Sequence, residues 1–216
     1  MHTWGIVVAG GTGSRFGPSE SGGPKQLDTL AGRRLIDWAV DAIRPVCAGV
    51  VVVLRPELVG VTEVAADAVV AGGATRADSV RAGLAAVPTA ADAVLVHDAV
   101  RPLASTELSR RVLAALTGGA DGVVPAVPVT DTVKQVEGGA VVRTVDRDGF
   151  VAVQTPQAFR AEVLRRAHAE RRDATDDASL VEQVGGRVIV VDGERANIKI
   201  TWPDDMVIAA ALVGRR

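Results

Sequence analysis

Short Val-rich runs, each bounded by turn residues and too brief for a helix, recur along this chain at 4–9, 49–54, 93–96, 123–129 and 187–191. Near-continuous apolar runs of that length are what strands buried on both faces require. Between them the apolar spacing changes to three and four. Val80, Leu84 and Val87 share one helical face, as do Leu108, Val112 and Leu116, and 33–43, 161–169 and 204–213 also read as helices. Strands alternating with helices predict an α/β fold, a mostly parallel sheet with helices on both faces. At 216 residues the chain suits one sizeable domain and is short for two, so a single domain over 1–216 is expected.

The stretch 130–155 breaks the alternation. Asp-Thr-Val-Lys-Gln-Val, Glu-Gly-Gly and Ala-Val-Val-Arg-Thr-Val follow one another there, which predicts two short strands around a Gly-Gly turn, a β-hairpin. Such a hairpin has little core of its own and is expected to pack on something, a second subunit or the edge of its own domain.

Composition removes several classes of function. Net charge is −2 and no basic stripe is interleaved with aromatics, so nucleic acid is not an expected partner. Cys47 is the lone cysteine, so no disulfide framework or cysteine zinc site can be built, and a reducing cytoplasm is the expected location. No basic n-region precedes an apolar run, and no stretch of 18 uncharged apolar residues exists, so neither secretion nor membrane insertion is expected.

The first strand runs into Ala9-Gly10-Gly11-Thr12-Gly13-Ser14-Arg15-Phe16-Gly17. Ligands of open α/β sheets sit at the C-terminal ends of strands, where a Gly-rich loop lets backbone N–H groups approach phosphate. The dinucleotide fingerprint fails at Phe16, and no Gly-Lys-Ser/Thr follows for a Walker A loop. Arg15 with Lys25 of Pro24-Lys25-Gln26 could instead neutralise a triphosphate and the charge that builds during phosphoryl transfer. Asp98, at the tip of the strand beginning near Ala93, is placed for Mg²⁺, which prefers one or two carboxylates plus phosphate and water. Its alternatives are a helix cap or an ion pair with Arg101, and His97 beside it reads as structural.

Three further stretches carry polar groups. In Gly72-Gly73-Ala74-Thr75-Arg76-Ala77-Asp78-Ser79, either Asp78 or Ser79 caps a helix, or Ser79 bonds a nucleobase. Arg147, after the hairpin, either grips an acceptor phosphate by its fork or pairs with an acid. Thr175 reads as the cap of a helix starting at Asp176-Asp177. Lys199, in the apolar alternation Asn197-Ile198-Lys199-Ile200-Thr201, either meets an anionic ligand or points outward from an edge strand.

The ordered blocks AGGTGSRFG, PKQL, GGATRADSV, VHDAVRP, VPVTDTVK, TVDRDG, QTPQAF, TDDASLVE and NIKIT, spread over 9–201, resemble the 2-C-methyl-D-erythritol 4-phosphate cytidylyltransferase family. The resemblance implies a Rossmann-like nucleotidyltransferase fold whose hairpin is the arm of a homodimer. It implies transfer of CMP from CTP to 2-C-methyl-D-erythritol 4-phosphate with release of pyrophosphate, a step of non-mevalonate isoprenoid biosynthesis. It implies that Arg15, Lys25 and Lys199 stabilise the phosphates and the transition state, and that Asp98 lies by Mg²⁺ and the acceptor. Ala9, Gly10, Gly11, Gly13, Gly73, Ser79 and Ala99 would line the CTP site. Arg101, Thr132, Arg147, Thr155 and Thr175 would meet the acceptor, Thr132 and Arg147 from the other subunit, with Arg147 also acting in catalysis. The stretch 17–24 and Phe150-Val151 depart from the family pattern, which bears on loop order and arm packing. A ribitol 5-phosphate cytidylyltransferase is the nearest alternative. A nucleotide-sugar glycosyltransferase would want a metal-binding Asp-x-Asp on a strand end, where only Asp98 stands here, and a non-catalytic scaffold would not need Arg15, Lys25, Asp98, Arg147 and Lys199 together.

Overall fold

The structure is a computed structural model that describes residues 1–11, 23–170, 174 and 176–214. In chain order, β1 (Thr3–Ala9) precedes a two-residue ladder of β2 (Thr29–Leu30) and β3 (Arg33–Arg34), then α1 (Leu35–Ile43), β4 (Gly49–Leu54), β5 (Ala68–Ala71) and α2 (Arg76–Ala86). Next come β6 (Ala93–Asp98), α3 (Thr106–Thr117), β7 (Gly122–Pro128), the hairpin strands β8 (Val133–Glu137) and β9 (Ala140–Val145), then β10 (Val151–Val153) and β11 (Gln157–Arg160). The chain continues through α4 (Ala161–Ala169), α5 (Asp177–Gln183), β12 (Val188–Asp192) and α6 (Pro203–Val213).

β4, apolar throughout, and β6, apolar up to His97 and Asp98, bury every residue because both lie inside one eight-stranded sheet, ordered β10-β7-β11-β6-β1-β4-β5 with β12 also on β7. β1, β4, β5 and β6 are mutually parallel, as are β7 and β12, while β11 and β10 run against their neighbours. Helices cover both faces. Ile36, Ile43, Val112 and Leu116 of α1 and α3 pack on Val7, Val52 and Leu95 from one side, and Val80, Leu164 and Leu180 of α2, α4 and α5 pack on Ile6, Val53 and Val94 from the other. A separate apolar cluster, Leu30, Leu35, Leu103, Ile200 and Ala209, seats α6 and the segment before it.

This topology decides where a ligand can sit. From β1 the chain steps outward through β4 and β5, then returns to the opposite side of β1 as β6. The order therefore reverses between β1 and β6, and the crevice at their C-terminal ends is the expected site in such a sheet. Val8 stands opposite Asp98 in register at that crevice.

Several local readings change. The helix expected over 33–43 begins at Leu35, because Arg33–Arg34 pair with Thr29–Leu30 instead. β5 carries too little apolar sequence to declare itself alone, and it is held by four backbone partners on β4. β10 and β11 bring antiparallel strands into a sheet whose sequence pattern reads as parallel. The segment 197–201 joins no strand: its apolar residues alternate because Ile198 and Ile200 fill the α6 cluster, and Ile200 N donates to Val100 O at 2.8 Å. The cap of α5 is Asp176, which accepts from Ser179 N, rather than Thr175, which lies outside the described residues.

The hairpin is present and forms a sheet of its own. Gly138 and Gly139 both have positive φ (+55 and +83), as a two-residue turn matching the strand twist requires. Val136, Val141 and Val142 on its strands are exposed, as are Phe150 and Val151 at its base.

Candidate active site

At the β1/β6 crevice lies a cleft of about 360 Å³ lined by Ala9, Gly10, Gly11, Lys25, Gly73, Ser79, Asp98 and Lys199, with Val8, Gln26, Ala74, Thr75, Arg76 and Val100. Eight sequence-selected positions, drawn from five separate stretches of chain, thus share one wall.

Each stretch is held by identifiable bonds. Gln26, buried just after Lys25, donates Nε2 to Ala9 O at 2.7 Å and ties the Lys25 segment to the end of β1. Lys25 Nζ itself donates to Ile200 O at 2.7 Å, which joins that segment to the one carrying Lys199. The first turn of α2 is set by a reciprocal capping box: Thr75 Oγ1 accepts from Asp78 N, and the Asp78 carboxylate accepts from Thr75 N. Thr75 therefore takes the capping role that Asp78 or Ser79 was expected to fill, and Ser79 Oγ donates to Thr75 O at 3.0 Å. The glycines before this turn allow its close approach. A Cβ on Gly73 would stand 2.3 Å from Asp78 Cβ, whereas a Cβ on Gly11 would meet nothing within 4 Å among the described residues. Gly73 is thus demanded by packing, whereas Gly11 crowds none of the described residues and lines the cleft.

The electrostatic centre is Asp98. Its Oδ2 accepts from Lys199 Nζ at 2.8 Å, and Arg76 Nε lies 3.5 Å from Oδ1. Burial alone would raise this carboxyl's pKa, but Arg76, Lys199 and Arg101 more than offset it and hold the group well below the usual carboxylate range. Asp98 is therefore anionic, and it is ringed by more positive than negative charge. A polyanion entering the cleft meets Lys25, Lys199 and Arg76 together.

Behind the cleft, a buried polar layer fixes Asp98 and Lys199 to each other. Thr155 Oγ1 accepts from Asp98 N at 3.0 Å and shares a 2.9 Å hydrogen bond with His97 Nδ1. Asn197, fully buried, donates Nδ2 to Thr155 O at 2.8 Å, and Arg101 Nη1 donates to Asn197 O at 2.8 Å. Burial pushes the His97 imidazolium down to about 4, so the ring is neutral at pH 7. Arg101 and Thr155 thus support the strand tip from below and do not line the cleft. Ala99 lies in the apolar core with its N–H given to Val8 O. Thr132 and Arg147 are exposed at the foot of the hairpin, where Arg147 Nη1 donates to Thr130 O, and they are not among the lining residues of this chain's cleft. Gly13, Arg15 and Thr175 lie outside the described residues.

Two functional features escaped the sequence reading. Arg76 is one: a cation in the first turn of a helix opposes the macrodipole and so signals a carboxylate partner elsewhere. Gln26 and Asn197 carried no signal, because a neutral amide becomes informative only once it is buried.

For a divalent cation, Asp98 is the one carboxylate lining the cleft among the described residues, and those residues contain no cluster of three metal-ligating side chains. This donor set does not form a protein cage. It fits a hard cation that brings its own phosphate and water ligands.

The sequence pattern of the 2-C-methyl-D-erythritol 4-phosphate cytidylyltransferase family, IspD, matches residues 4–215. The chain belongs to this family. Within the IspD family it is 42% identical to the Streptomyces avermitilis protein named 2-C-methyl-D-erythritol 4-phosphate cytidylyltransferase, over 100% of this chain and 93% of that one. The crystal structure of the Thermus thermophilus protein of the same name superposes with a TM-score of 0.83 at 39% identity, covering 99% of this chain and 100% of that one. The bifunctional IspD/IspF enzyme of Solidesulfovibrio magneticus is 44% identical over 97% of this chain. The chain spans between 33% and 57% of the length of the first curated relatives it matches. No helix among the described residues is long and apolar enough to cross a membrane.

Proposed function

We propose that this chain transfers CMP from CTP to 2-C-methyl-D-erythritol 4-phosphate and releases pyrophosphate, in the cytoplasm, as a step toward isoprenoid precursors. The observation that carries this reading is the convergence of Lys25, Lys199 and Arg76 around Asp98 at the strand-order reversal of an IspD-family chain.

An oxygen of the acceptor phosphate attacks the α-phosphorus of CTP in line, the P–O bond to the β-phosphate breaks, and pyrophosphate leaves with the electron pair. The acceptor phosphate is already anionic, so no side chain need remove a proton. The barrier comes from bringing two polyanions together, so positioning and charge neutralisation carry the catalysis. Neutralising the triphosphate is assigned to Lys25 and Arg15 and bridging donor and acceptor to Lys199, and the nucleotide side is assigned to the backbone at Ala9, Gly10, Gly11, Gly13 and Gly73 with Ser79. Thr175 is assigned to the acceptor side, and Arg101 and Thr155 act on it through the Asp98 strand tip that they support. Asp98 would hold a Mg²⁺ ion, which would supply further charge neutralisation to the phosphates. The exposed hairpin joins two subunits, and through it Thr132 and Arg147 reach the acceptor in the neighbouring cleft, where Arg147 holds its phosphate.

A pyrophosphate-release assay with CTP, methylerythritol phosphate and Mg²⁺, with EDTA as control and ribitol 5-phosphate in a parallel arm, tests this. Turnover with methylerythritol phosphate that EDTA abolishes is expected. Faster turnover with ribitol 5-phosphate, or turnover with neither, would overturn it.

A further inference from the structure

Arg76 joins the cleft to two buried side chains that the reaction leaves without a role. While its Nε faces Asp98, its Nη1 lies 2.7 Å from Asp177 Oδ2. The other oxygen of Asp177 accepts from His168 Nε2 at 2.9 Å. A carboxylate only accepts, so this ring nitrogen carries the proton. Asp177 and His168 are 1% and 3% exposed. A row therefore runs inward from the cleft: Lys199, Asp98, Arg76, Asp177, His168.

Net stability is a weak reason for the buried end of this row, although Asp177 stands in the first turn of α5 where the helix field favours an acid. A buried ion pair is often no better than apolar residues of the same volume. Nor does α5 need Asp177 as its cap, since Asp176 already accepts from Ser179 N. Arg76 meanwhile opens α2, where the helix field repels a cation, so its placement depends on the two carboxylates that face it. Untied from Asp177, the guanidinium fork would turn onto Asp98 and compete with Lys199 for the same two oxygens.

We propose that His168 and Asp177 are positioning residues: the His168 Nε2–H bond orients the Asp177 carboxylate, which holds Arg76 aside so that Asp98 stays paired with Lys199. This rests on the nucleotidyl-transfer reading of the same site.

The test compares His168→Leu with His168→Gln, whose amide N–H can stand where Nε2 does. The full chain is assayed with CTP, methylerythritol phosphate and Mg²⁺ for kcat and KM separately. In addition, the protein is ¹³C-methylated on its lysines, which are only Lys25, Lys134 and Lys199. The Lys199 resonance is assigned by its absence in Lys199→Arg. His168→Leu should lower kcat by about tenfold, the scale of losing a group that orients a working residue, with CTP KM changed by less than about threefold. It should also shift the Lys199 resonance, and His168→Gln should restore both. Parent kcat in a folded His168→Leu protein would overturn the proposal. So would a loss of kcat with an unmoved Lys199 resonance, or a His168→Gln protein no better than His168→Leu. Should His168→Leu fail to fold, Asp177→Asn, which keeps the shape and removes the charge, carries the same expectations. A parent chain without turnover sinks the reaction reading alone, because the Lys199 resonance still decides the positioning claim.

Discussion

Two glycines of the cleft separate packing from ligand approach. In Gly73→Ala the new Cβ would stand 2.3 Å from Asp78 Cβ. Carbon atoms need about 3.5 Å or more, so the loop and the first turn of α2 must part by over ~1 Å. That breaks the Thr75–Asp78 capping box, worth about 1 kcal/mol, and adds an overpacking cost of about 1–3 kcal/mol. The sum, roughly 2–4 kcal/mol, corresponds to a fall in Tm of roughly 5–15 °C for a chain of this size. The same displacement carries Thr75, Arg76 and Ser79, all on the cleft wall, so kcat/KM for CTP should fall by about 10². Gly11→Ala is the counterpart. Among the described residues nothing lies within 4 Å of its Cβ, and its φ is not positive, so Tm should hold or rise with a gain of up to about 1 kcal/mol from the unfolded state. Its CTP KM should nevertheless rise, because the added methyl occupies the cleft. Melting curves and steady-state kinetics on both variants decide the matter. A Gly73→Ala protein melting with the parent, or a Gly11→Ala protein with parental CTP KM, would refute the reasoning.

Lys25→Ala should lower kcat by about 10² or more, the scale of removing a transition-state electrostatic partner, and turnover within about threefold of the parent would exclude that role. His97 makes stability pH-dependent. Its folded value of about 4 lies below the ordinary 6.5, so its contribution is full above 6.5 and is lost as pH falls toward 4. The loss is on the order of 2–3 kcal/mol, and chemical denaturation at pH 7 and pH 4.5 should show it shrink in His97→Asn, whose amide can reach the Thr155 hydroxyl without titrating in this range. Replacing exposed Val141 and Val142 by Glu should yield monomers in sedimentation with Tm almost unchanged, since exposed positions away from special features move stability little. Persistence of dimers in that variant, or a monomeric parent, would remove the arm from the assembly.

The sequence alone determined the class of sheet, because a strand buried on both faces must be apolar at nearly every position and a covering helix must repeat at three and four. It also determined the hairpin, since Gly138-Gly139 supplies the positive φ that its turn needs. These are local constraints, met within a few residues of chain. What only the tertiary structure decided are relations across long separations. Asp98 and Lys199 pair across 101 positions, as do Arg76 and Asp177. Gln26 and Asn197 gain meaning only because burial removes water and leaves each amide to bond protein carbonyls. A charge or an amide in sequence has no partner until folding gives it one, and the low dielectric that then surrounds the pair is what turns it into chemistry.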